Sequence, residues 1–223
     1  MATIASANDE IFIFRQLPPR GLLYAEDMLP AADHHLVQIV DAAVADAARR
    51  SGDWLKCRPG CTQCCIGVFA ITQLDALRLR NGLADLDRSD PVRSAAVRER
   101  AARSVKRLRP GFPGDAATGE LDEEDPAFAD FANDEPCPAL DPATGLCDLY
   151  QARPMTCRIF GPPVRSLDGI GVCELCFDGA SETEIIAAEL QIDWTSQEDL
   201  LNHEAEEESE RASSTIVAFA LID

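Results

Sequence analysis

The stretch Cys57-Arg-Pro-Gly-Cys61-Thr-Gln-Cys64-Cys65 places four cysteines within nine residues. A chain of 223 residues can bury a hydrophobic core without covalent cross-links, so it does not need these thiols for stability. Thiols at such short spacing can grip one ion or cluster from a single loop. Gly60 lies where the chain must bend tightly between ligands. The stretch therefore predicts a fold built around a cysteine cluster.

Two more groups of cysteines follow at short spacing. The second is Cys137-Pro-Ala-Leu, then Gly145-Leu-Cys147-Asp-Leu-Tyr150, then Arg153-Pro-Met-Thr-Cys157-Arg158-Ile-Phe160-Gly161, and the third is Cys173-Glu-Leu-Cys176. Thiolate is a soft donor that selects zinc, Cu(I) or iron–sulfur clusters over Mg²⁺ or Ca²⁺. All nine cysteines are candidate metal ligands: Cys57, Cys61, Cys64, Cys65, Cys137, Cys147, Cys157, Cys173 and Cys176.

The number of metal sites stays open at this point. Successive side chains diverge, so Cys64 and Cys65 are not expected to serve one tetrahedral ion equivalently. Nine sulfurs allow two four-thiolate sites with one left over, or one site plus structural or redox cysteines. The first group is expected to dock on the second. The alternative to ligation is a set of small buried apolar side chains or adventitious disulfides.

Charged residues near the cysteines have two interpretations. Four thiolates on zinc carry a net charge of about −2, as does an oxidised four-iron cluster with four cysteines. Neighbouring arginines could offset that charge or simply face solvent; they are Arg58, Arg153, Arg158 and Arg165. The histidines are weaker candidates, because His34 and His35 open a helix and His203 lies in an acidic one.

The remaining sequence predicts helices and little sheet. Apolar periodicity and capping residues indicate helices over about residues 32–50, 72–81, 89–108 and 197–211, with Gly82 ending the second and Ser89 with Pro91 opening the third. Ser181 and Glu184 have the spacing of a capping box, which begins a helix reaching Leu190. Asp141 and Gly145 suggest a turn between short strands.

The predicted fold is a mainly α single domain with irregular metal-ordered loops and little β. Residues 110–178 are too long for a structureless loop in a compact domain, so metal is expected to order them. We expect an N-terminal extension and helix over residues 1–54 and a metal-binding domain over 55–178, with an acidic insert at about 115–135. An acidic helical segment over 179–223 is expected to pack on the same domain.

The acidity of the chain is regional. There are 39 Asp and Glu against 20 Lys and Arg, a formal net charge of −19. Residues 115–135 and 182–210 hold 20 of the acids and no Lys or Arg. This balance argues against a general nucleic-acid or anionic-membrane binder and allows a basic protein partner. The basic third helix is interpreted as a solvated face opposite the acidic segments, with a binding face as the alternative.

The N-terminal residues do not have the pattern of a secretory signal. Their apolar run covers only residues 11–14, and the longest apolar stretch elsewhere, residues 216–222, is far short of a membrane helix. A cytoplasmic protein is therefore expected. Because disulfides are rare in the cytosol, cysteines at short repeated spacing are expected to be metal ligands or redox groups there.

In order and spacing, these motifs resemble the YkgJ-like cysteine-cluster proteins, known as zinc- or iron-chelating domains with a CxxCxxCC signature. The resemblance covers about residues 55–176, and it departs from the signature in a first gap of three residues between Cys57 and Cys61. The resemblance implies that the chain chelates zinc or holds an iron–sulfur cluster. It does not identify catalytic residues.

Two other function classes remain as alternatives. Cys57, Cys61 and Cys64 have the CxxxCxxC spacing of radical S-adenosylmethionine enzymes, and flagellin lysine N-methylases resemble longer members of the same group. An S-adenosylmethionine-dependent iron–sulfur enzyme, such as a protein lysine N-methylase, is therefore one alternative. A thiol redox sensor using Cys173 and Cys176 as a reversible dithiol is the other.

Overall fold

The computed structural model describes residues 29–166, 169–211 and 213–222. Most of the predicted N-terminal extension and the short apolar run at 11–14 lie outside these residues. The described chain is about 52% helical and its strands form only two-stranded sheets, which confirms the α-rich fold class. The helices are α1 Asp33–Ser51, α2 Gln73–Ser89, α3 Pro91–Leu108, α4 Met155–Ile159, α5 Glu182–Ala188, α6 Thr195–Ser209 and α7 Val217–Ala220.

Among the described residues, three antiparallel hairpins and four short 3₁₀ helices fill the connections. The hairpins pair β1 Gly114–Asp115 with β2 Glu120–Leu121, β3 Leu140–Asp141 with β4 Leu146–Cys147, and β5 Val164–Ser166 with β6 Gly169–Gly171. The 3₁₀ helices are Gly52–Trp54, Gln63–Cys65, Pro126–Asp130 and Tyr150–Ala152. The predicted turn between Cys137 and Cys147 is the β3–β4 hairpin.

Most predicted helix ends agree with the structure. Helix α1 begins within a residue or two of the expected position, and the Thr72 hydroxyl caps α2 by accepting a hydrogen bond from the Asp75 amide at 3.2 Å. The capping box at Ser181 is present, although α5 ends at Ala188 rather than at Leu190. Helix α6 begins two residues earlier than expected and ends at Ser209.

The prediction that Gly82 ends α2 is wrong, because the helix continues to Ser89. A Cβ on Gly82 would collide with the Cβ of Ala152 in the last 3₁₀ helix. Glycine at this position therefore serves close packing between two segments. Ser89 belongs to α2, and the Asp90 side chain caps α3 by accepting from the Arg93 amide at 3.1 Å.

Helix α2 is central to the core. Its Leu79 and Leu83 pack in a buried cluster with Val97 of α3 and Leu221 at the end of α7. Its Leu74 and Leu77 join a second cluster with residues of α1 and α6. Burying each such side chain contributes about 1.5–3 kcal/mol, so α2 holds the helical framework together.

A buried ionic network links three helices to the cysteine region. Arg78, 3% exposed, donates from Nη2 to Asp33 of α1 at 2.6 Å and from Nη1 to Asp75 at 2.7 Å. Its Nη1 also lies 3.2 Å from Glu198 Oε1 of α6. The Asp75 carboxylate accepts the amide of Met155 at 2.9 Å, which fixes the first residue of α4.

The basic face of α3 contacts acids of the protein itself. Arg107 Nε donates to Glu135 at 3.2 Å, within the acidic insert, while Arg93 and Arg100 both donate to Asp148 at 2.6 Å. These pairs favour the interpretation of α3 as a solvated face opposite acidic residues. The division into residues 1–54, 55–178 and 179–223 stays a prediction.

No helix in the described ranges is both long and apolar enough to cross a membrane.

Candidate metal centre

The first cysteine stretch consists of two consecutive tight turns. In the first, the Cys61 amide donates to the Arg58 carbonyl at 2.9 Å, and Gly60 has a φ of +88°, which only glycine adopts without strain. In the second, the Cys65 amide donates to the Thr62 carbonyl at 2.8 Å in the 3₁₀ helix Gln63–Cys65. The motif therefore has two halves, a tight turn that ends at Cys61 and a 3₁₀ helix that begins at Gln63.

One set of cysteines, the four-thiol group, consists of Cys57, Cys61, Cys173 and Cys176. After burial, the neighbours that raise the pKa of Cys57 most are the thiols of Cys176, Cys61 and Cys173. The Lys56 amide donates to Cys176 Sγ at 3.4 Å. A backbone bond from the Phe177 amide to the Trp54 carbonyl, 3.1 Å long, joins the two segments next to the sulfurs.

The four-thiol group lies at the edge of a small apolar cluster. Cys173, Cys176 and Phe177 are buried and pack with Trp54 and Leu55, while Cys57 is exposed. Gly161 closes over the Cys57 sulfur, since a Cβ there would lie 3.0 Å from Sγ. This proximity gives a structural reason for glycine at the end of the second cysteine motif.

The other set, the five-thiol group, consists of Cys64, Cys65, Cys137, Cys147 and Cys157. Burial raises the pKa of Cys157, and the thiols of Cys137, Cys64 and Cys147 raise it further. The pKa of Cys65 is raised by Cys64, by burial, and by Cys137 and Cys147. The Cys137 amide donates to the Cys65 carbonyl at 2.8 Å, so the first motif docks on the second as expected.

The thiols of the five-thiol group come from several local structures, with Cys64 and Cys65 together in the 3₁₀ helix Gln63–Cys65. Cys147 ends β4 and is held opposite Leu140 in the hairpin, and the Asp148 amide donates to the Ala139 carbonyl at 2.8 Å. Cys157 lies in α4, whose start is held by Asp75. Cys137 and Cys147 also pack against the main hydrophobic cluster. The framework helices therefore position this group directly.

Burial and mutual proximity perturb the thiols. Although Cys57 is exposed as a residue, its sulfur is partly covered, and this burial, reinforced by neighbouring Cys176, raises the pKa of Cys57 to about 12. Burial raises the pKa of Cys137 to about 12. A hydrogen bond from Cys65 lowers the pKa of Cys64 to about 6, whereas the pKa of Cys65 is raised by the same contact. Because a thiol must lose its proton to bind a metal, these raised pKa values make protons compete with the metal, while a bound cation would remove the repulsion among the thiolates.

Among the four candidate arginines, Arg153 is the one whose charge lowers the pKa of thiols in the five-thiol group. Its charge helps lower the pKa of Cys64, after the Cys65 hydrogen bond, and its guanidinium lies 3.8 Å from the centre of the Tyr150 ring. Arg158 donates to Asp41 at 3.0 Å, and Arg165 donates to Glu189 at 2.6 Å. His34 contacts Gln38 at 2.9 Å, which agrees with a role outside ligation.

The donor set suits a thiophilic metal, but the sulfurs are not drawn together. Across residues 29–166, 169–211 and 213–222, no three His, Cys, Asp or Glu side chains converge closely enough to hold an ion. Every cysteine is a free thiol. Groups of four and five thiols fit zinc or an iron–sulfur cluster by their chemistry. Binding would require the thiol side chains to rotate toward one another.

A cavity of about 590 Å³ lies beside the five-thiol group, and Cys147 is part of its wall. Arg78, Asn81 and Arg158 also line it. Within the described part of the chain, Asn81 Oδ1 and Arg158 Nε are buried without a hydrogen-bond partner. Such atoms can bind a polar molecule or water inside the cavity.

Comparison with known proteins identifies the cysteine region. A family model with the description "CxxCxxCC: Putative zinc- or iron-chelating domain" matches residues 56–176, more than half of the chain. The chain belongs to the CxxCxxCC family. No curated protein and no solved structure matches it. The match confirms the resemblance to YkgJ-like proteins and supports metal binding, with zinc or iron as the metal.

The CxxCxxCC match spans all three cysteine groups, yet the spacing of its cysteines does not predict how they associate. Only the folded chain brings Cys173 and Cys176 to Cys57 and Cys61. Sequence reasoning also missed the Arg78–Asp75 network, which holds α4. Its sole signal was the presence of charged residues on the otherwise apolar face of α2.

Proposed function

We propose that this CxxCxxCC protein binds zinc or an iron–sulfur cluster through its cysteine thiolates, and that it does so in the cytoplasm. The observation that carries the proposal is that the fold joins segments whose cysteines lie up to 119 positions apart, through the bonds from the Lys56 amide to Cys176 Sγ at 3.4 Å and from the Cys137 amide to the Cys65 carbonyl at 2.8 Å. Scattered small apolar residues have no physical reason to associate in this way.

The residues proposed as ligands are the nine cysteines of the two groups. Bound metal would supply a positive centre that keeps neighbouring thiols ionised and cross-links distant parts of the chain. Arg153 would offset part of the negative charge at the five-thiol group. Nine free thiols suit a reducing compartment, which supports the cytoplasmic location.

The acidic surface supports a basic protein as partner. Helix α6 exposes Glu204, Glu207 and Glu208 on its outer side, while Leu201 and Ala205 are buried beneath them. A single-sign surface of this kind attracts cationic partners and repels nucleic acid.

Anaerobic purification followed by metal analysis and an absorption spectrum tests the metal proposal. Bound zinc with a colourless protein, or bound iron with a broad visible band, would support it and identify the metal. Absence of stoichiometric metal would refute it. Cys61→Ser should lower the metal content and increase protease cleavage within residues 110–178, whereas Thr62→Ser, a change in the same loop that removes no thiol, should not.

The cavity beside Cys147 favours one second candidate, an iron–sulfur enzyme that uses S-adenosylmethionine. An enzyme of this class needs a substrate space next to its metal, and this cavity supplies space and unpaired polar atoms. Calorimetric titration of the metal-loaded protein with S-adenosylmethionine tests it. Saturable binding that weakens in Asn81→Leu would support the enzyme, while absence of binding would refute it.

A further inference from the structure

We propose that the chain has two separate metal sites, one at the four-thiol group and one at the five-thiol group. This inference rests on the proposed function, because it assigns the thiolates of that function to two ions or clusters instead of one. Each site takes a thiophilic ion such as zinc, or an iron–sulfur cluster.

The backbone of the first motif directs its two halves toward different parts of the chain. The turn that closes at Cys61 ends before the 3₁₀ helix that carries Cys64 and Cys65 begins. The residues just before and at the start of the motif meet the segment after β6 through the bonds from Lys56 to Cys176 and from Phe177 to Trp54, whereas the Cys65 carbonyl accepts from the Cys137 amide. Cys61 and Cys64, three positions apart, therefore contribute to different groups.

Independent backbone contacts hold the four-thiol group. The bonds from Lys56 to Cys176 and from Phe177 to Trp54 lie beside the sulfurs on both segments of the chain. Phe177 has a φ of +60°, an unfavourable conformation for a bulky residue, which packing keeps in place. Because the fold keeps this strained residue directly after Cys176, the surrounding structure determines the conformation of this turn.

The five-thiol group is held by a different set of contacts. The Cys137–Cys65 backbone bond is continued by a bridge between Ile66 and Pro136. Both Arg93 and Arg100 of α3 bind Asp148, next to Cys147. None of these contacts involves residues 173–176, so each group can be perturbed without removing the anchors of the other.

The number of thiols supports the division. Four thiolates complete a tetrahedral zinc site or ligate all four irons of a cubane cluster. The four-thiol group supplies that number, and the five-thiol group supplies it with one thiol in excess. The division also separates Cys64 from Cys57 and Cys61, so the CxxxCxxC spacing does not act as one three-cysteine site.

Metal content measured on paired double variants tests the inference. Cys173→Ser/Cys176→Ser should retain about half of the wild-type metal, and Cys137→Ser/Cys157→Ser should retain the other half. Loss of all metal in either variant, with the far-ultraviolet circular dichroism unchanged, would show one shared site and overturn the inference. Absence of metal from the wild type would instead refute the proposed function.

A matched pair of glycine variants tests the four-thiol site without removing a thiol. Gly161 and Gly169 have φ angles of +126° and +131°, so alanine strains the backbone similarly at both. Alanine at Gly161 would press on the Cys57 sulfur, whereas a Cβ at Gly169 meets open space. Gly161→Ala should lose up to half of the metal and Gly169→Ala none. Equal metal content in the two variants, with both folded, would contradict the site.

Discussion

Replacing Arg78 with methionine should sharply destabilise the protein. Arg78 is 3% exposed and binds Asp33 and Asp75, whose side chains are 7% and 5% exposed. Methionine has a similar length but no charge, so the change leaves two carboxylates buried without their cation. Removing one partner of a buried ion pair costs about 3–5 kcal/mol.

Arg49 provides a matched control, because its pair with Asp46 is exposed. The two side chains are 72% and 49% exposed, and such pairs contribute about 0.2–1 kcal/mol. Urea unfolding of the metal-loaded variants, with metal content measured in parallel, compares the two changes. A loss in Arg78→Met as small as that in Arg49→Met would refute the reasoning.

The pH dependence gives a second readout of the same variant. Burial raises the pKa of Asp75, and Arg78 opposes that shift. Without Arg78 the folded-state pKa rises further above the unfolded value, so the carboxyl contributes more stability at low pH and loses it as pH rises. The loss of unfolding free energy in Arg78→Met should therefore become smaller as the pH is lowered from 7. If this variant does not fold, Arg78→Lys against Arg49→Lys makes the comparison.

Three further predictions concern packing, charge and metal exchange. Gly82→Ala should destabilise the protein by about 1–3 kcal/mol through overpacking, and Ala152→Gly should rescue it; a stabilised single variant in thermal unfolding would contradict the contact. Burial alone would raise the pKa of Glu135, but the hydrogen bond and charge of Arg107 together with the nearby Ser104 hydroxyl outweigh it and hold the pKa below its usual 4.5. Glu135→Gln should therefore lower stability at pH 7, and its deficit should vanish as pH falls through that lowered pKa; a deficit independent of pH would argue against the pair. A chelator should release metal in two phases, the faster from the four-thiol group because Cys57 is exposed, and Cys173→Ser/Cys176→Ser should abolish the fast phase; an unchanged fast phase would assign it elsewhere.

Helices were predictable where local chemistry controls them. Thr72 and Ser181 cap their helices as expected, because a side-chain oxygen can satisfy a nearby amide without help from distant residues. Gly82 was misinterpreted because its role depends on Ala152, which is 70 positions away. Glycine has the same local signal whether it ends a helix or allows a close approach.

The sequence alone determined that this is an α-rich chain with cysteine motifs of the CxxCxxCC family, since spacing, capping and thiolate chemistry are local properties. Only the tertiary structure decided which thiols are neighbours. The strand and turn contacts that bring Cys176 to Cys57, and Cys157 to Cys64, connect positions about 90 to 120 residues apart. Spacing along a chain carries no information about such contacts, because they depend on how the helical framework packs.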